Sequence, residues 1–194
     1  VVYKYHDLDD HGAPIVHHID GGLHEGKKLL IYNLHNSPIY SRISASQNSI
    51  EDWSDKTLII NCECTYPRLI KMRDQLLLFF RKQTNDSPIT RSYFVISSDD
   101  YGATWKNERE LITANPGEWI YAFPYIGKLK GEPVLGIVWG QHGRQLTDVQ
   151  DIYVATSLDD GHTWSSIDGS VKRTVLRSDK QYQLHHSQDN HASR

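Results

Sequence analysis

Two stretches of this chain, Ser98-Asp99-Asp100-Tyr101-Gly102-Ala103-Thr104-Trp105 and Ser157-Leu158-Asp159-Asp160-Gly161-His162-Thr163-Trp164, fit one template, Ser-x-Asp-x-Gly-x-Thr-Trp. Their tryptophans stand 59 residues apart, and each stretch follows a run of β-forming residues, 91–97 and 151–156. The residue types make local sense: Asp and Ser oxygens hydrogen-bond the backbone of a tight turn, and Gly admits positive φ. The Trp can then fold back and pack on the unit that it closes. A turn recurring at this interval, always after a strand, predicts an all-β chain of repeated units, which points to a propeller. The turns themselves are architecture, so chemistry is to be sought elsewhere.

Strand-like runs cover 14–19, 28–34, 39–45, 57–62, 66–71, 76–81, 91–97, 110–113, 121–127, 133–139, 151–156 and 172–176, short and separated by Gly, Asn, Asp and Ser. No helical period is sustained. Grouped in fours, the runs predict a single partial β-propeller domain of four-stranded antiparallel blades at about 9–61, 64–114 and 119–176. The first blade carries a degenerate turn, with Ser44, Ser46 and Asn48 ahead of Trp53, so Trp53, Trp105 and Trp164 mark one position per blade. Propellers typically hold four to eight blades, so the missing blades are expected from the rest of a longer chain. Residues 177–194 read as the entry to a further blade or as a disordered tail. Val1 in place of Met reads as the start of a processed or cut chain.

The net charge of −3 favours neither nucleic acid nor an acidic tail, and no stretch reaches the length of a membrane-spanning helix. The two cysteines, Cys62 and Cys64, are separated by one residue in a strand, are read as facing opposite sides of it and are not expected to bridge each other. Eleven histidines are many for this length. Structural zinc at Cys64, His142 or other histidines, or calcium at a carboxylate loop such as 7–10, is open, but no pair has diagnostic ligand spacing.

Blade geometry sorts the candidates. The template turns lie on one face, while residues just before a first strand, or ending a second, converge on the other mouth. These include Asp10, His11, His35 and Asn36; then Tyr66, Arg68, Arg81 and Lys82; then Tyr121, Trp139, Gln141 and His142. So many His, Tyr, Arg and Lys side chains on one mouth suit an anionic, hydroxyl-rich ligand. Arg81 follows the apolar run Leu76-Leu77-Leu78-Phe79-Phe80, where a guanidinium must meet water, a carboxylate or a ligand. The others have plainer readings as loop histidines or half-buried aromatics.

The template is the Asp-box, and the chain resembles the bacterial neuraminidase repeat propellers. Asp9-Asp10-His11-Gly12-Ala13-Pro14, His35-Asn36-Ser37-Pro38-Ile39-Tyr40, Thr65-Tyr66-Pro67-Arg68 and Leu78-Phe79-Phe80-Arg81 together look like the seven-bladed ulvan lyases and their relatives. The resemblance covers about residues 9–165. It implies His11, His35, Tyr66 and Arg81 as catalytic groups, with Asn36, Arg68, Tyr121, Gln141 and His142 around the substrate. The stretch Gly21-Gly22-Leu23-His24-Glu25-Gly26 lengthens the first hairpin beyond the family's usual spacing.

The chemistry suits these residues. In β-elimination a base removes the C5 proton of a uronate and the 4-O-linked sugar leaves. Arg81 is the group to neutralise the carboxylate, and His11 and Tyr66 are the acid/base pair, with direction unassigned. Tyr, with a reference pKa of about 10, needs a cation beside it to act as base. The expected partner is an anionic polysaccharide, with no nucleic acid, no membrane and no cofactor required; a secreted or periplasmic location follows from the resemblance. The alternatives are a non-catalytic carbohydrate-binding or structural propeller, and a sialidase, which needs three arginines, with Arg68, Arg81 and Arg91 present but no convincing Tyr–Glu pair.

Overall fold

Val, Ile, Leu, Tyr and Phe cluster between Gly, Asp and Asn punctuation, and the structure turns nearly every such run into a strand. The structure is a computed structural model that describes residues 12, 14–47, 49–143 and 151–185. Backbone proximity divides the chain into two compact units, Val1–Lys82 with Val95–Glu108, and Gln83–Phe94 with Arg109–Arg194.

In the first unit, β1 (Ile15–His18), β2 (Lys28–Tyr32), β3 (Ser37–Ile43), β4 (Thr57–Met72) and β5 (Gln75–Asp86) follow one another as an antiparallel meander. Leu76 to Phe80 are all at most 2% exposed, so this continuous apolar run is buried on both faces. The runs at 57–62 and 66–71 prove to be one strand, β4. Nothing between them breaks an extended backbone; a register shift between Thr65 and Arg68, with Tyr66 at φ 55°, bends the strand instead.

Three strands, β5, β6 (Ile89–Ser98) and β7 (Lys106–Ile112), pass from one unit into the other. The second unit continues with β8 (Trp119–Leu129), β9 (Glu132–His142), β10 (Ile152–Ser157), β11 (Trp164–Ser165) and β12 (Lys172–Arg173), again antiparallel. β13 (Gln183–His185) pairs with β10, and Tyr182 beside it is 1% exposed. The sequence reading missed β13, because its polar residues carry no strand pattern. Ile120, Leu135, Ile137 and Trp139 fill this unit's core.

Both Asp-boxes form as the residue types dictate. Asp100 Oδ1 accepts from Ser98 Oγ and Thr104 N, each at 2.8 Å, and Gly102 N donates to Ser98 Oγ at 2.8 Å. In the second box Asp159 takes the same bonds from Ser157 and Thr163, and Trp164, fully buried, donates Nε1 to Gly161 O at 2.9 Å. Burial opposes the charge on Asp159, but the hydrogen bonds from Thr163 and Ser157 outweigh it and hold its carboxyl at about 2.

One expectation is overturned. Cys62 and Cys64 form a disulfide, with Cα atoms 5.3 Å apart. Positions i and i+2 of a strand project to the same face, and the two cysteines fall at a register shift of β4 against β3 between Ile60 and Cys64, with the Cα separation inside bridging range. This also removes Cys64 as a thiolate ligand for zinc.

Candidate functional site

The first unit aligns three chain segments that carry candidate residues. Ser37, which opens β3, pairs with Cys64, and Thr65 pairs with Arg81 across β4 and β5. The β2–β3 turn, with His35 and Asn36, therefore lies beside the bend in β4 that presents Tyr66, and Arg81 comes next in the row. The turn is stapled by Ser37 Oγ, which accepts from Leu34 N at 2.7 Å and donates to Leu34 O at 3.0 Å.

Arg81 is 1% exposed, a rare setting for a guanidinium. Its Nε donates to Thr65 Oγ1 at 3.0 Å, and its Cζ stands 4.7 Å from the centre of the Tyr66 ring. A cation over a phenol ring is held there by the ring's quadrupole. Tyr66 (φ 55°) and Asn36 (φ 50°) both occupy the left-handed region without being glycine. Such backbone costs free energy; Asn36 adopts it in a turn, and Tyr66 adopts it inside β4. The Asn36 Oδ1 is buried with no hydrogen-bond partner among the described residues.

His11 lies outside the described residues, as do Asp7 to Asp10. Its neighbour Gly12 is placed and buried: a Cβ there would fall 2.3 Å from Asn33 O. Asn33, 1% exposed, donates Nδ2 to Cys64 O at 2.8 Å. Asn33 thus connects the segment after His11, the end of β2 and the strand leading to Tyr66. Sequence reasoning missed both Asn33 and Thr65. An Asn closing an apolar strand (Leu29-Leu30-Ile31-Tyr32-Asn33) was the available signal, and Thr65 gave none. Arg68 is exposed, and the bulge breaks the side-chain alternation that would align it with Tyr66.

Tyr121, Gln141 and His142 come together in the second unit. Tyr121 and His142 stack with ring centres 4.5 Å apart, and Trp119 flanks His142 at 6.0 Å. Gln141 is committed at both ends of its amide, to Glu118 Oε2 and, from Ser178 Oγ, at 2.9 Å. Arg91 lies 4.8 Å from the Trp119 ring centre and donates to Gln83 Oε1 at 3.4 Å. Among the described residues no group of three or more His, Cys, Asp or Glu side chains is placed to hold a metal ion. No helix among them is long and apolar enough to cross a membrane.

The arrangement sets a buried guanidinium against the Tyr66 ring, beside the turn that carries His35 and Asn36. Residues 3–193 match the model of the BNR repeat-containing family, and the chain belongs to that family. No curated protein matches. Among solved structures, the chain is similar to an ulvan lyase of polysaccharide lyase family PL25, at 19% identity and TM-score 0.67, over 91% of this chain and 45% of that one. An α-L-arabinofuranosidase, Arb93A of Fusarium graminearum, aligns at 15% identity and TM-score 0.55, over 75% of this chain and 46% of that one. An α-L-arabinanase of Penicillium chrysogenum bound to arabinobiose aligns at 15% identity and TM-score 0.51, over 74% and 44%. The chain spans less than half the length of these structures. The likenesses establish the fold, a β-propeller with Asp-box turns of which the chain holds a part.

Proposed function

We propose that this member of the BNR repeat-containing family is part of a polysaccharide lyase that cleaves a uronate-containing, ulvan-like polysaccharide by β-elimination. One observation carries the reading: a guanidinium buried to 1% exposure, anchored through Thr65 and stacked on Tyr66. A guanidinium fork matches a carboxylate in geometry and charge, and a substrate carboxylate is the anion that this reaction supplies.

In the proposed reaction Arg81 binds the carboxylate through paired hydrogen bonds, which makes the adjacent C5 proton more acidic and stabilises the enolate-like state. One of His11 and Tyr66 takes the C5 proton. The electron pair forms the C4=C5 double bond as the C4–O bond breaks, and the other group protonates the departing oxygen. His35 and Asn36 hold the sugar, Asn36 through its buried Oδ1. The steps as drawn call on side chains alone. A polysaccharide substrate implies a protein that works outside the cytoplasm, secreted or periplasmic.

The test is incubation of the protein with ulvan and other uronate polysaccharides, following the absorbance of the unsaturated product. Wild type is expected to produce it. Arg81→Ala and His11→Ala are each expected to lose about 10²-fold or more. Undiminished product from both variants would falsify this site.

A further inference from the structure

Two departures from the repeat, the lengthened first hairpin and the degenerate turn before Trp53, play no part in the proposed reaction. The structure brings them together. They border one cavity of about 420 Å³ in the first unit, with His24 and Lys27 from the hairpin and Trp53, Ser44, Ser54 and Thr57 from the turn and its flanks. Gln47 clamps the two, donating Nε2 to Glu25 O at 3.2 Å and packing over Gly26.

The turn before Trp53 carries Ser46 where the two Asp-boxes carry Asp100 and Asp159. There Ser44 Oγ accepts from Lys28 N and donates to Ser46 O, both at 2.9 Å. Trp53 keeps the local bond of its counterpart Trp164, with Nε1 on the carbonyl three residues back, Ile50 O, at 2.9 Å. Its ring is half-buried, as Trp105 is, whereas Trp164 is fully buried. That leaves an indole wall facing the cavity. The Lys27 ammonium has no hydrogen-bond or ion-pair partner among the described residues. Among the described residues no Asp or Glu lines the cavity.

We propose that this cavity is a second saccharide site, separate from the Tyr66–Arg81 group, that binds an acidic sugar unit. The Trp53 ring takes the sugar's apolar face, while Lys27 and His24 take its anionic group, a carboxylate or a sulfate ester. Its role is to hold an acidic chain rather than to cleave it.

The test is two-dimensional NMR of the ¹⁵N-labelled full chain, with the Trp53 indole signal assigned by its loss in Trp53→Phe. The probes are a uronate trisaccharide, its neutral methyl ester and a sulfated neutral trisaccharide. The Trp53 signal is expected to shift with at least one acidic probe, which identifies the recognised group, and not with the ester. Lys27→Ala should weaken that binding about tenfold, Lys27→Arg should largely preserve it, and Arg81→Ala should leave it unchanged. A Trp53 signal that ignores all probes, or responds equally in Lys27→Ala, overturns the proposal and leaves the lyase reading standing. Loss of the response in Arg81→Ala also overturns it, because the sites would then not be separate.

Discussion

The glycines of the two Asp-boxes offer a controlled comparison inside one molecule. Gly102 and Gly161 occupy equivalent positions with nearly equal φ, 91° and 83°. Alanine at either site is forced into left-handed backbone, at about 1–2 kcal/mol. The surroundings differ. At Gly102 an added Cβ falls 2.5 Å from Leu29 Cδ2, so the fully buried Leu29 side chain must shift or repack. At Gly161 the nearest atom, Leu135 Cδ2, stands at 3.2 Å, and a shift of a few tenths of an ångström suffices. Overpacking therefore adds about 1–3 kcal/mol at Gly102 only. Gly161→Ala should cost about 1–2 kcal/mol and Gly102→Ala about 2–5 kcal/mol. At roughly 2–4 °C per kcal/mol for a chain of this size, the two melting temperatures should separate clearly. Thermal unfolding followed by circular dichroism reads the difference. Equal losses, or a larger loss for Gly161→Ala, would show that backbone strain alone governs the box glycine and that the Leu29 contact does not matter.

Other outcomes follow from single contacts. Asp159 has a folded pKa of about 2, below its unfolded value, so its contribution is present above about pH 4 and fades as pH falls towards 2. The full linkage of about 2.5 kcal/mol shrinks to about 1 kcal/mol after solvent screening. Urea unfolding at about pH 5 and about pH 2 should show a smaller acid loss in Asp159→Asn; an unchanged loss would place the acid sensitivity elsewhere. Thr65→Val removes the acceptor of Arg81 Nε and should cost about 1.5–3 kcal/mol in urea unfolding, because a buried charged donor loses its partner. A neutral result would mean that Arg81 finds another acceptor at once. The Cys62–Cys64 bridge predicts no reactive thiol in the denatured, unreduced protein and two after reduction, and a thiol count above zero before reduction would refute it.

Part of the candidate site was legible because its residues were out of place in their local pattern. Arg81 ends a run of five apolar residues, and a guanidinium there demands a reason that the sequence displays. Tyr66 before Pro67 was visible as a candidate, but its left-handed backbone was not, since a bulge depends on how two strands of unequal course are paired. The disulfide was misjudged because Cys62 and Cys64 were assigned to opposite faces, whereas i and i+2 of a strand share one, and the register shift between Ile60 and Cys64 that accompanies the bridge comes from pairing with β3. Asn33 was invisible because its importance comes from Gly12 and Cys64, which are distant in the chain.

By itself the sequence determined the all-β class, the position of nearly every strand and the two Asp-box turns. These rest on interactions within a few residues, on side-chain alternation and on the conformational freedom of glycine. Only the tertiary structure decided that Thr65 and Tyr66 hold Arg81, that β4 runs unbroken through its bulge, and that hairpin and degenerate turn enclose one cavity. Each of those depends on strand register between distant segments, and register is set by packing that no local pattern encodes.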